Sequence, residues 1–320
     1  MTRMDVYASL QWEPVATGLR FPEGPVTMPD GSIVLVEMFG PRVTRVWPDG
    51  RVEVIAEVPG GPNGAALGPD GALYLCNNGG CFTPVEIGPL LVPGPFERGR
   101  YTGGRIQRLD LNSGDLVDLY TQCDGHPLRA PNDLVFDTHG GFYFTDHGIR
   151  DLGARTSDLT AVYYAKADGS SIREVVYPVE APNGVGLSPD GTTLYWAETH
   201  AGRVFRRSVV EPGVVEPVSP GDTSVVLCGL PGYQLFDSLA VDSAGNVCVA
   251  TLVNGGITVI APDATLLGFA ALPDPITTNL CFAGPDLTTA YVTGGCTGVL
   301  LRTVASTPWP QPGLALPPPQ

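Results

Sequence analysis

FPEGPVTMPDGSIVLVE (residues 21–37) holds a short apolar strand, a Pro-Asp-Gly turn and a second apolar strand, and the pattern returns along the chain. Beneath it align GPNGAALGPDGALYLCN (61–77), APNDLVFDTHGGFYFTD (130–146) and APNGVGLSPDGTTLYWAE (181–198). LFDSLAVDSAGNVCVAT (235–251) and TTNLCFAGPDLTTAYVT (277–293) complete the set. Each unit reads as a hairpin with Asp-Gly, Gly or Asp turn chemistry. Further strand-like segments, such as RVTRVWPDG and RVEVIAEV after the first unit, bring most repeats to four strands. Six units of four antiparallel strands predict an all-β, six-bladed β-propeller occupying residues 1–320 as one domain. The extended N-terminal segment is placed to complete the last blade and leave few open edges. The Pro-rich tail from about residue 306, STPWPQPGLALPPPQ, predicts an extended or disordered end.

The same alignment puts a polar residue seven positions before the turn in all six units: Glu23, Asn63, Asn132, Asn183, Asp237 and Asn279. Equivalent positions in a closed propeller lie on one circle about the axis. This position opens the first, innermost strand, so the six side chains should crowd the mouth of the channel. Carboxylates and amides facing one another are costly to bury unless a cation joins them. Oxygen donors without His or Cys favour Ca²⁺, with Mg²⁺, Mn²⁺ and Zn²⁺ as alternatives. The plainer reading, that each Asn or Asp caps a turn for local reasons, is weaker for six residues in register.

Fourteen residues after the ring positions stand Glu37, Asn77, Asp146, Thr251 and Thr293, with Glu198 at fifteen. They form a second ring beside the first. Glu37 is a candidate to orient metal ligands and Asn77 a candidate substrate contact, although strand ends are also simply polar where they meet water. Loops leaving the second strands overhang the same mouth: 38–42, 78–102 and 147–160. The long middle one suggests a lid or substrate wall. His147 and Arg150, in the third loop, are further candidate substrate contacts.

Composition narrows the function. The net charge is −15, and Lys166 is the sole lysine. That balance argues against nucleic acid, whose binding needs a basic stripe, and against anionic membrane surfaces; a small-molecule substrate is the expected partner. No stretch approaches the ~18 apolar residues that span a bilayer, and the N-terminus lacks a signal-like apolar run. Seven cysteines without a zinc-ribbon spacing predict reduced thiols and a cytoplasmic protein. The Cys76–Cys81 spacing admits a pair, but small buried hydrophobes is the better reading. No G-x-S-x-G elbow, H-E-x-x-H pair, Walker A loop or G-x-G-x-x-G turn is present.

FPEGPV, APNDLVFDTHGGFYFTD, PNGVGLSPDGTTLYWAET and FDSLAVDSAGNVCVAT, in this order and spacing, resemble the SMP-30/gluconolactonase/LRE family over essentially the whole propeller. The GGFYFTD and Asp-Ser segments look most like its calcium-dependent lactonase branch. The resemblance implies a central divalent ion held by Glu23, Asn132, Asn183 and Asp237, with Asp237 also the proton donor and Ser238 able to contribute. Asn63 and Asn279 then stand nearby or contact the ion's waters. Gly103 and Asp124 match a second, structural calcium only thinly. The expected activity is hydrolysis of a sugar lactone or related cyclic ester, with Asp237 or a metal-bound water as the base. A phosphotriester hydrolase using the same site and a non-catalytic, metal-pinned binding propeller are the competing functions.

Overall fold

The structure, a computed structural model, describes residues 3–314. Six four-stranded antiparallel sheets radiate from one axis, as the repeat predicts. Their innermost strands are Pro22–Thr27, Pro62–Leu67, Pro131–Phe136, Pro182–Leu187, Leu235–Val241 and Thr277–Ala283. In the first blade Ile33–Glu37, Arg42–Val46 and Val52–Glu57 follow outward in order. In the fourth the outermost strand is broken into Val214–Val215 and Val226–Gly229.

Closure uses the N-terminus. Trp12–Ala16 pairs with Val299–Thr303 as the outer strand of the sixth blade, Trp12 opposite Thr303. A strand from one end of the chain thus locks the other end and removes an open edge.

The second strands are buried on both faces because each sheet packs against two neighbours. Ile33, Val34, Leu35 and Val36 are all essentially inaccessible. Val34 and Val36 meet Leu73 and Leu75 between blades one and two. Tyr74 meets Phe142 between blades two and three, and Tyr143 meets Trp196 between three and four. Each such side chain contributes about 1.5–3 kcal/mol by leaving water.

The C-terminal segment departs from its expectation. Trp309 is 1% exposed, packed on Tyr7 and Phe282, and its backbone N–H donates to Thr288 O. Gly313 N donates to Leu287 O and bridges Asp242. One large aromatic ring outweighs the proline bias of its surroundings. Residues 315–320 of the predicted tail lie outside the described residues. The helix Arg3–Ala8 lies beneath, with Tyr7 against Gly268 of the fifth blade.

All seven cysteines are free thiols, so Cys76 and Cys81 are not joined. Among the described residues no helix is long and apolar enough to cross a membrane. Part of the long insertion after the second blade's second strand folds as a two-stranded ribbon, Pro84–Ile87 with Leu90–Pro93.

Candidate metal centre

In every blade, pairing between the first two strands slips by one residue at the ring. The shifts fall between Glu23 and Val26, Pro62 and Ala65, and Pro131 and Leu134. The others fall between Pro182 and Val185, Phe236 and Leu239, and Thr277 and Asn279. Such a bulge re-aims a side chain that regular pleating would direct at a neighbouring blade. Two residues before the ring, Phe21 and Ala181 take left-handed φ of 59° and 48°, an uncommon conformation for residues with a side chain. The position after the ring explains the crowding. A Cβ on Gly64 would overlap the Asn132 carbonyl, and one on Gly184 would overlap the Leu239 amide. At these two positions only glycine lets the adjacent inner strands come this close.

All six predicted ring residues are buried. Asn183 Nδ2 donates to Asp237 Oδ1 at 2.5 Å and to Thr199 Oγ1 at 3.0 Å. Those two bonds fix the orientation of the amide and leave Asn183 Oδ1 without a partner. Asn63 Oδ1 and Asn132 Oδ1 are equally orphaned, whereas Asn279 Oδ1 accepts from Leu280 N. Leaving a buried acceptor unsatisfied costs about 1–3 kcal/mol, and three such oxygens in one ring are out of proportion to a folded interior.

The carboxyls tell the same story. Burial raises Glu23 well above the usual carboxylate range, and the charges of Asp237 and Asp133 add to it. Hydrogen bonds from Gly24 N and Asn279 act the other way. Asp237 is pushed up to about 8, chiefly by burial, with the Asn183 bond opposing and Asp133 reinforcing. A cation among these oxygens would satisfy the orphaned amides and restore the carboxylates to their charged form. The donor set therefore fits a hard divalent ion. Among the described residues no three of His, Cys, Asp and Glu are grouped to hold a metal, so amide oxygens would supply much of the coordination.

Asp133 was not among the residues read from the sequence. Burial pushes it to about 7, against hydrogen bonds from the Leu134, Val185 and Leu239 amides. Ser238 Oγ lies beside it without a hydrogen bond of normal geometry. The signal was present: the position after the ring is Gly24, Gly64 and Gly184 in three blades but Asp133 and Ser238 in two others.

The second ring does other work. Glu37 accepts from Arg20 N and from the Arg42 guanidinium. Asn77 accepts from Gly61 N and Gly79 N and donates to Pro59 O and Gln107 Oε1. Asp146 accepts from Arg129 N and Ala130 N. These three side chains staple the loops leading into the first strands of blades one to three, which holds their ring residues in place. Glu37 and Asn77 are fully buried, and their hydrogen bonds go to these loops and strands rather than to the ring.

His147 is half-buried in the mouth-side loop after Asp146, its ring 6.0 Å from Phe82 and 5.8 Å from His200. Burial holds it neutral, with its pKa lowered to about 4. Arg150 is exposed on the same loop.

A family model described as SMP-30/Gluconolactonase/LRE-like region matches residues 21–295. The lactonase drp35 of Staphylococcus saprophyticus is 31% identical over 245 residues, covering 76% of this chain and 67% of that one. The gluconolactonase of Zymomonas mobilis is 25% identical over 332 residues, covering 91% and 81%. In fold, the chain is similar to a gluconolactonase from Xanthomonas campestris, with TM-score 0.73, 23% identity and coverage of 93% and 90%. It is also similar to a regucalcin from Agrobacterium tumefaciens described as a calcium-binding protein, with TM-score 0.73, 17% identity and 97% coverage of each.

Proposed function

This chain belongs to the SMP-30/gluconolactonase/LRE-like family, and from that premise we propose that it opens lactones by hydrolysis at the ring. The observation that carries the reading is the cluster of orphaned amide oxygens beside the Asp237 and Glu23 carboxyls. Glu23, Asn132, Asn183 and Asp237 would hold a divalent cation, calcium by preference, with Asn63, Asn279 and Ser238 at its margin. When bound, that ion supplies electrophilic polarisation of the lactone carbonyl.

Asp237 takes a proton from the attacking water, whose oxygen joins the carbonyl carbon. As the ring C–O bond breaks, the same carboxyl returns the proton to the departing alkoxide, so the product is a hydroxy acid. Asn183 pins one Asp237 oxygen and fixes the plane of the carboxylate. His147, uncharged and bordered by Phe82, faces the substrate from the mouth side. The free cysteines suit a reducing compartment, and we place the protein in the cytoplasm.

The test is a pH-drop assay over a panel of lactones and one phosphotriester, with and without chelator. Chelator-sensitive acid release from a lactone supports the reading. Activity untouched by chelator, or confined to the phosphotriester, overturns it.

A further inference from the structure

We infer that the mouth is built for lactones carrying an apolar substituent, and that the ribbon Pro84–Pro93 is the wall against which that substituent packs. The inference rests on the lactone reading above and adds the class of substrate.

Residues directly opposite in an antiparallel pair share a face, and faces alternate along each strand. Val85 lies opposite Val92, and Ile87 opposite Leu90. One face of the ribbon is therefore wholly aliphatic. None of the four side chains joins a buried cluster; Ile87 is 60% exposed and the other three are partly so. An isolated two-stranded ribbon is marginal in water, and this one is held from several sides. Gly94 N donates to Thr83 O at its base. Leu91 N donates to Cys296 O in the mouth-side loop of the sixth blade. Arg98, just beyond it, pairs with Asp151 in the mouth-side loop of the third, at 3.6 Å. The insertion thus leaves the second blade and is fastened to both the third and the sixth, with the first blade between.

Other apolar side chains are exposed on the same side. Leu152 and Leu159 come from the loop after the third blade's second strand, and Tyr233 and Val253 from the loops of the fifth. Val253 has φ of 68°, a strained conformation for a β-branched residue, and its side chain is exposed. An apolar rim round a polar, catalytic floor matches a ligand with a polar head and a hydrocarbon or aromatic tail. The net charge of −15 disfavours an anionic membrane as the occupant.

The experiment compares binding of δ-valerolactam, which has no scissile ester, with binding of a δ-lactam bearing a heptyl chain, by calorimetry in calcium. Burial of chain yields up to about fourfold tighter binding per methylene, so the wild type should prefer the heptyl lactam by about 100-fold or more. The double variant Ile87→Asp/Leu90→Asp should reduce that preference below about tenfold and leave δ-valerolactam binding unchanged. A second variant with Val85–Val92 replaced by two glycines should do the same, and Val117→Asp, on an outer strand, should not. Equal binding of both lactams by the wild type overturns the inference, as does a preference that survives loss of the ribbon. So does a wild-type dimer at the working concentration that the double variant dissolves, since the face would then cover a second copy. Turnover of the matching lactones separates the two readings. A chain preference in binding with neither lactone opened removes the hydrolase reading alone, and opening with no chain preference removes the wall alone.

Discussion

The side chain of Asn183 in the fourth blade is tied to that of Asp237 in the fifth, Nδ2 to Oδ1 at 2.5 Å. The bond orients both groups. It leaves the side-chain oxygen Asn183 Oδ1 free of protein partners and holds one carboxylate oxygen in place.

Asp237→Asn keeps the volume and one oxygen but removes the charge and the proton acceptor. With calcium saturating and its occupancy checked, lactone turnover should fall by a factor on the order of 10²–10⁴. Near wild-type turnover in a fully occupied variant would transfer the role of base to a water.

Asn132→Leu removes one orphaned oxygen. Calcium affinity, measured by calorimetry, should fall by more than the roughly 10–100-fold typical of residues that only support a ligand. The metal-free protein should melt within a few degrees of wild type, because the amide oxygen has no protein partner to lose. Unchanged calcium affinity would take Asn132 out of the site.

Protons compete with calcium for the carboxyls. Burial pushes Asp237 to about 8 and Asp133 to about 7, while the ion requires charged oxygens. Lowering the pH from 8 to 6 should therefore weaken calcium binding, by up to about tenfold per unit for each carboxyl that takes up a proton. Titration at three pH values, with proton release measured, checks the sign; a flat affinity contradicts it.

Glu198 gives a second pH effect. Burial raises it from 4.5 to about 7, with the Trp196 N–H opposing and Glu180 reinforcing. The folded chain then binds this proton more tightly than the unfolded chain does. Its contribution is fully present below about pH 4.5 and is lost as the pH rises through 7. Glu198→Gln should raise the melting temperature at pH 8 relative to wild type and flatten the decline between pH 5 and 7. A lower melting temperature at pH 8 would mean that the charged form is the stabilised one.

Trp309→Ala empties the space between Tyr7 and Phe282. A loss of about 3–5 kcal/mol is expected, read by denaturant unfolding. A loss under about 1 kcal/mol would show that the C-terminal segment does not support the last two blades.

The sequence by itself determined the number of blades, the closing strand and the membership of the ring. The blades and the ring follow from a repeating distance along the chain, a turn every blade and a polar residue seven positions before it, and the closing strand from the extended segment ahead of the first repeat. Periodicity says which residues are equivalent, and closure carries equivalent residues to one circle. It says nothing of where a side chain points. The one-residue bulges, the orientation of the Asn183 amide and the arrival of Asp133 beside Ser238 were decided only when neighbouring inner strands packed together. The second ring looked like support for a metal because its spacing matched, yet Glu37, Asn77 and Asp146 answer to the amides of the adjoining loops. Likewise the proline-rich composition around Trp309 concealed a single ring whose burial outweighs it. Spacing along a strand is a local property of the backbone, whereas hydrogen-bond partners and burial belong to segments far apart in sequence. Only the packed blades bring those segments together.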